Sequence, residues 1–226
     1  LANAGIKLER AALDHLYRFH ELLRAANHDR DLTRIVGFEN MVVKHYVDSM
    51  IVGQFVDLPS PLVDIGTGAG FPGIPLKIRY PKLSIFLAEP RPRRVAFLES
   101  VKKSLELRDV TVFPHRVVSK SFTAPVAGVI TRALEPIEKT ILRTSGCADV
   151  GTRYIFLKGP AVEPEVREAE RRFAGELRLL EVRRYFLPGT PHERRLVVFE
   201  RTKRSERDAD DELDAGDAGV GTEEAD

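Results

Sequence analysis

Cysteine occurs once in this 226-residue sequence. A single thiol, Cys147, cannot close an internal disulfide and is too little for a thiolate zinc site, so a reducing, cytoplasmic location is expected. Long apolar runs are also missing. The longest are a few residues, against the roughly 20 that a membrane helix needs, so no membrane partner is expected. No positively charged start precedes an apolar stretch, which leads us to expect no secretory signal. The sequence has no G-x-x-x-x-G-K-[ST] run, which excludes a P-loop, and no G-x-S-x-G around Ser100, Ser104 or Ser119, which argues against covalent catalysis by serine. Its six histidines form no cluster. His45 and Asp48 share a predicted helix face, but no third ligand accompanies them, and no metal is expected.

What is present suffices for a core: 43% of residues are apolar and 31% charged. The length suits one large domain, or one domain with a smaller helical annex. A net charge of +1 conceals an asymmetry. Positions 201–226 carry four Lys/Arg against ten Asp/Glu, leaving 31 basic and 24 acidic residues before them. The tail reads DADDELDAGDAGVGTEEAD and has too little apolar surface to offset the entropy of ordering, so it is expected to be disordered. The basic body favours an anionic partner without identifying one.

The pattern changes along the chain. Leu8, Ala12, Leu16, Phe19 and Leu23 recur at helical spacing, a run that ends near Asn27-His28-Asp29, and a second helix is predicted from about Phe38 to Phe55. Beyond Pro59-Ser60-Pro61, short apolar runs read as strands: PLVDIG, LSIFLAE, VTVF, AGVITRA and TRYIFLKG. IPLKIRY continues the first turn as an apolar stretch, and RVAFLESVKKSLEL is an amphipathic helix. Such alternation signals βαβ units and a mostly parallel sheet. LRLLEVRRYFLPG and HERRLVVFE look like an antiparallel hairpin that finishes it.

The strongest local signal is Asp64-Ile65-Gly66-Thr67-Gly68-Ala69-Gly70-Phe71-Pro72-Gly73, between a strand and a helix. Glycines at such a turn permit positive φ and close approach of a ligand to the backbone. Taken as G-x-G-x-G after an acid, the block resembles motif I of S-adenosylmethionine-dependent methyltransferases. Read from Gly68 it also satisfies G-x-G-x-x-G, the dinucleotide fingerprint. Glu89, ending the next strand, can accept hydrogen bonds from ribose hydroxyls in either case. Pro72 and Pro75 remove N–H groups that would face a pyrophosphate, and the closing hairpin suits a methyltransferase sheet.

DIGTGAGFPGIPLKI, RVAFLESVKKSLEL, ITRALEP and FLKG resemble successive blocks of the bacterial 16S rRNA guanine-N7 methyltransferases, the RsmG or glucose-inhibited division protein B family. DLTRI and VKHYVDSM resemble its helical cap and RRLVVFE its final strand, so the likeness runs from about residue 5 to 200. The resemblance implies an α/β fold: a Rossmann-like class I S-adenosylmethionine-dependent methyltransferase sheet with an antiparallel C-terminal hairpin and an N-terminal helical cap. The expected boundaries are 1–58 for the cap, 59–201 for the methyltransferase domain and 202–226 for the acidic tail. It implies S-adenosyl-L-methionine as cofactor and N7-methylation of a guanine in the 530 loop of 16S rRNA. The partner is then 16S rRNA or the small ribosomal subunit, with no DNA, and the chain a monomer.

The family's cofactor contacts fall on Gly66 and Phe71, beside Asp64, Gly68, Gly70 and Glu89. Val117 and Val118 match the pair lining the adenine side, Arg132 an arginine reaching into the cleft and toward the cofactor, and Lys158 a lysine at its mouth. Arg132 and Lys158 are the catalytic candidates. Asn27, Asp31, Thr33, His45 and Asp48 match polar positions of the cap. This sequence departs from the family in several places. Val118 stands where an acidic residue is usual, the cap block AANHDRDLT lacks the usual aromatic residue, Asp31 replaces an Asn, and Glu89-Pro90 replaces an Asp-Ser or Glu-Ala pair. A catalytically impaired RNA-binding relative and a nicotinamide-binding oxidoreductase are the alternatives.

Guanine N7 offers an in-plane lone pair, so methylation there needs no proton removed and no general base. Alignment at ~3–3.5 Å is the requirement. Arg132 is expected on guanine O6, a phosphate or the methionine carboxylate, with Glu135 as its structural alternative. Arg91, Arg93, Arg94, Arg183, Arg184, Arg194, Arg195 and Lys158 could hold phosphates. The acidic tail can compete for such a surface. Removing residues 203–226 is expected to leave cofactor affinity unchanged and to raise nonspecific RNA affinity most at low salt, the gain fading as salt rises. Equal RNA binding by both forms at low salt, in a filter-binding titration, would refute the competition.

Overall fold

The computed structural model describes residues 1–30 and 32–204. Asp31 and nearly all of the acidic tail lie outside the described residues. A seven-stranded sheet organises the chain, in the order β3-β2-β1-β4-β5-β7-β6. The strands are β1 (Leu62–Ile65), β2 (Ile85–Ala88), β3 (Val110–Phe113), β4 (Val126–Arg132), β5 (Ala148–Lys158), β6 (Leu177–Phe186) and β7 (Glu193–Arg201). The first five are parallel, and β7 pairs antiparallel with both β5 and β6. Each of the seven predicted strand runs is therefore a strand. The hairpin turns at Pro188-Gly189, with Gly189 at φ 72°.

Successive β1, β2 and β3 step to one side of the sheet, and β4 and β5 to the other. The chain order reverses between β1 and β4, and open α/β sheets bind ligands at the carboxyl ends of the strands at such a switch point. β1 is buried at every position, as expected for a strand covered on both faces.

Two hydrophobic clusters flank the sheet. On one face, α1 (Arg10–Arg30) packs against α4 (Gly73–Arg79) and α5 (Pro92–Ser104), with Leu16, Phe19 and Leu23 among Phe71, Ile74 and Phe97. On the other, α6 (Ile137–Arg143) and α7 (Glu163–Arg172) cover Val129, Tyr154 and Phe156. The N-terminal segment thus shares a core with the sheet.

The helix predicted over Phe38–Phe55 is a broken one. It begins as α2 (Phe38–Met41), widens into a π-helical stretch over Val42–Val47, resumes as α3 (Asp48–Met50) and closes with a 3-10 turn over Ile51–Gln54. The Asp48 N–H reaches back to the Val43 carbonyl. This insertion turns His45, Tyr46 and Val47 into the protein, a use of π geometry common at functional sites. Sequence patterning singled out neither α6 nor α7. The first is only seven residues long, and EPEVREAERR in the second buries only Val166 and Ala169.

Candidate active site at the switch point of the sheet

The glycine-rich turn follows β1 directly. Gly66, Gly68 and Gly70 sit at φ 70°, 61° and 99°, a region that L side chains enter only with strain. Asp64 fixes the far side of the turn, its Oδ2 accepting the Gly73 N–H at 2.8 Å. Close packing makes Gly73 necessary as well, since a Cβ there would come within 2.7 Å of the same oxygen. Asp64 is fully buried, and burial pushes its carboxyl up to about 7 against the opposing pull of the Thr67 hydroxyl, the Gly73 amide and the Arg132 charge.

Glu89 leaves β2 at the same end of the sheet. Its carboxyl is buried, with Oε1 accepting the Arg91 N–H at 3.0 Å and Oε2 3.6 Å from Arg94 Nη1. Arg94 also stands beside Gly68, where a Cβ would meet its Nη1 at 3.6 Å and no closer atom. Val117 is buried in the loop after β3, whereas the Val118 side chain is half exposed and its N–H donates to Ser121 Oγ. Cys147 holds that loop from behind, donating its S–H toward the Val118 and Ser119 carbonyls at 3.1 and 3.3 Å. Burial raises its thiol pKa, which keeps it a donor.

Arg132, at the end of β4, reaches into the cap. Its Nη1 donates to the Lys44 carbonyl at 3.0 Å and lies 3.4 Å from Asp48 Oδ2, and its Nη2 donates to His45 Nδ1 at 3.1 Å. The guanidinium lies 5.3 Å from the Phe71 ring centroid, and the His45 ring stacks on the same Phe71 at 4.3 Å. A guanidinium only donates, so His45 Nδ1 must accept and its Nε2–H must donate to Thr33 Oγ1, 2.8 Å away. Burial, then the Arg132 charge, pulls His45 down to about 3, which keeps it neutral in this arrangement. Thr33 is fixed in turn by Asn27, whose Oδ1 accepts the Leu32 and Thr33 N–H groups and whose Nδ2 donates to the Thr33 carbonyl.

Four of the five cap residues named from sequence, Asn27, Thr33, His45 and Asp48, therefore join Arg132 in one network. Asp31 lies outside the described residues. Glu135, the alternative partner of Arg132, is held by Arg143 and Thr140 instead. Lys158 is buried at the end of β5, donating to the Glu135 carbonyl and to Glu165. Most of the basic residues proposed for phosphates also face carboxylates: Arg183 pairs with Glu181, Arg184 with Glu193, Arg194 with Asp48, and Arg195 with Glu163 and Glu193. Leu134, Arg94 and Glu165 gained no cofactor or cap role from sequence, because nothing in their spacing places them beside the glycine-rich turn or Lys158.

The arrangement fits a nucleoside cofactor. Gly68 leaves room at the turn, a Cβ there meeting nothing closer than 3.6 Å, Thr67 and Asp64 are buried beside it, and Glu89 presents a buried acceptor at the next strand end. Among the described residues, no group of three or more His, Cys, Asp or Glu comes together as a metal site, and no helix is long and apolar enough to cross a membrane.

The buried Asp64 makes a pH-dependent prediction. An acid whose folded pKa exceeds its unfolded value of about 3.9 binds its proton more tightly when folded. Its contribution to stability is therefore complete below about 4 and is lost as pH rises to about 7. Asp64→Asn, which keeps an oxygen for Gly73, should gain on the wild type in melting temperature across that interval and hold a constant gap above it. A gap independent of pH between 4 and 8 would show that the carboxyl is not raised.

Comparison with known proteins identifies the family. The family model described as "GidB: rRNA small subunit methyltransferase G" matches residues 12–196. The chain is 49% identical over 201 residues to ribosomal RNA small subunit methyltransferase G 2 of Syntrophobacter fumaroxidans, covering 89% of this chain but only 40% of that longer relative. It is 41% identical to the protein of the same name from Bdellovibrio bacteriovorus, covering 90% of this chain and 78% of the relative. Among solved structures, magnesium protoporphyrin IX methyltransferase of Synechocystis PCC 6803, with bound S-adenosylmethionine, superposes with a TM-score of 0.56 at 16% identity. That match covers 87% of this chain and 99% of the other, and it speaks to the fold alone. The chain belongs to the rRNA small subunit methyltransferase G family of S-adenosylmethionine-dependent methyltransferases.

Proposed function

We propose that this chain transfers a methyl group from S-adenosylmethionine to N7 of a guanine in the 530 loop of 16S rRNA, acting in the cytoplasm as a monomer on the small-subunit RNA. Residues 1–58 form a cap over the methyltransferase unit of residues 59–201. The family supports rRNA methylation, and the resemblance of successive sequence blocks to the bacterial 16S rRNA guanine-N7 methyltransferases supports the guanine position. The observation that carries the chemistry is the state of His45. It is neutral, depressed to about 3, and already engaged on both ring nitrogens, so it has no capacity to take a proton from a substrate. A reaction at N7 asks for none.

The cofactor, when bound, supplies an electrophilic methyl on a sulfonium. The chain's own residues then supply position. Glu89 would accept from ribose hydroxyls, Gly66, Gly68 and Gly70 would let the cofactor approach the backbone, and Val117 and Val118 would border the adenine. Asp64 keeps the turn in register by holding Gly73. His45 and Arg132, bonded to each other, both pack against Phe71 and so fix the cap beside the glycine-rich turn. Both terminal nitrogens of Arg132 are engaged on the cap, so its part is chiefly to orient Phe71 and the cap over the cleft. Lys158 acts through the loop it holds.

Nucleoside mass analysis of 16S rRNA from cells with and without the gene tests the reading: 7-methylguanosine should be lost with the gene and restored by it. Unmethylated RNA in both would favour the impaired relative. Gly66→Val should abolish S-adenosylhomocysteine binding in calorimetry, since its φ of 70° is unfavourable for valine and a Cβ would lie 2.6 Å from Leu134. Glu89→Ala should weaken it by roughly 1–3 kcal/mol through lost charge-assisted hydrogen bonds. Unchanged affinity in both would overturn the cofactor assignment. Arg132→Ala should cut methyl transfer while changing bulk RNA affinity little, and full activity would overturn its place in the site.

A further inference from the structure

Residues 133–136 join β4 to α6 and border the glycine-rich turn. Ala133 holds φ at 49°, an unusual value for a residue with a side chain, and its N–H donates to the Leu157 carbonyl. Leu134 follows and leans over Gly66, so closely that a Cβ on that glycine would meet Leu134 Cδ1 at 2.6 Å. Its side chain is nonetheless partly open to solvent. A half-exposed leucine against the cofactor turn has no core to pack into, which suits it to pack against a ligand.

Its neighbours are pinned. The Glu135 carbonyl accepts Lys158 Nζ at 2.5 Å, and the Glu135 carboxylate takes Thr140 Oγ1 and Arg143 Nη2 at 2.9 and 2.6 Å. The Ile137 N–H donates to Glu165 Oε2 at 3.0 Å. The same Glu165 oxygen accepts Lys158 Nζ at 2.8 Å. One carboxylate oxygen on α7 therefore ties down the loop twice, directly at Ile137 and through the lysine at Glu135. Charge-assisted bonds of this kind are about twice as strong as neutral ones, and the Lys158 ammonium is largely shielded from water.

We propose that Glu165 is a positioning residue of the methyl-transfer site: with Lys158 it fixes residues 133–136 so that Leu134 forms an apolar wall against which the acceptor base and the methyl donor are aligned. The inference rests on the proposed function, where alignment carries the catalysis. A shift of about 1 Å in such a wall can cost on the order of 100-fold in rate without touching a reacting atom.

The test compares Glu165→Ala with Glu165→Gln, which keeps a carbonyl oxygen for both donors. Glu165→Ala should lower kcat about tenfold or more with RNA KM within about twofold, and its Ala133 and Ile137 amides should exchange with deuterium faster. Glu165→Gln should recover kcat to within about threefold of wild type and slow the exchange again. Should Glu165→Ala fail to fold, Leu134→Ala leaves the clamp intact and should show the same fall in kcat at constant KM. Unchanged exchange in Glu165→Ala would show that the clamp does not hold the loop. Faster exchange with unchanged kcat would show that the loop is not a wall of the site. A wild-type chain that transfers no methyl group would instead overturn the functional reading and the wall with it, while the exchange data would still report on the clamp.

Discussion

A guanidinium charge cannot be moved out of water without partners, and Arg132 has been given them by three separate parts of the chain. The π-helical stretch supplies the Lys44 carbonyl and His45, α3 supplies Asp48, and the glycine-rich turn supplies the Phe71 ring. Burial works against the charge, lowering the arginine's pKa, while the Asp48 and Asp64 carboxylates oppose that shift. Breaking such a buried pair typically costs about 3–5 kcal/mol, because the remaining charge is stranded. The cap and the sheet are consequently fixed to each other at the cleft itself.

From that contact the order spreads outward through proton roles. Arginine donation forces the tautomer of His45, which then donates to Thr33, whose backbone is held by Asn27. A histidine placed this way is a strut. Its depressed pKa means that the strut does not change charge in the neutral range, so the cap should hold one geometry there. The same economy appears at the other wall, where Glu165 and Lys158 hold the loop that carries Leu134. Charged residues that would commonly be read as catalytic or RNA-binding are spent on holding apolar and backbone surfaces in place. That pattern suits a reaction limited by alignment, since a preorganised wall costs no rearrangement when the reactants meet.

The sheet was legible because its signal is local. Short apolar runs such as LVDI and IFLA, separated by turns, admit few arrangements other than buried parallel strands, and the first five appear as such, with the last two closing the sheet as the antiparallel hairpin. The cofactor turn was legible for a similar reason: three glycines at alternate positions are needed where φ must be positive. The helices α6 and α7 were not, since one is short and the other shows only two buried side chains to define a face. The π-helical stretch could not be read at all. It depends on His45 and Lys44 meeting Arg132, which lies more than eighty positions away in the chain.

By itself the sequence determined the order of strands along the chain, the glycine turn after β1, the acid that ends β2 and the family to which the chain belongs, because each is carried by residues close together in sequence. Tertiary structure decided what the charged residues do. Arg132 could have met Glu135, three residues on, yet it pairs with Asp48 across the cleft; Lys158 could have faced solvent, yet it is enclosed by Glu135 and Glu165. A buried charge takes whichever partners the folded backbone brings within about 3 Å, and that proximity is a property of the packed sheet, helices and cap together.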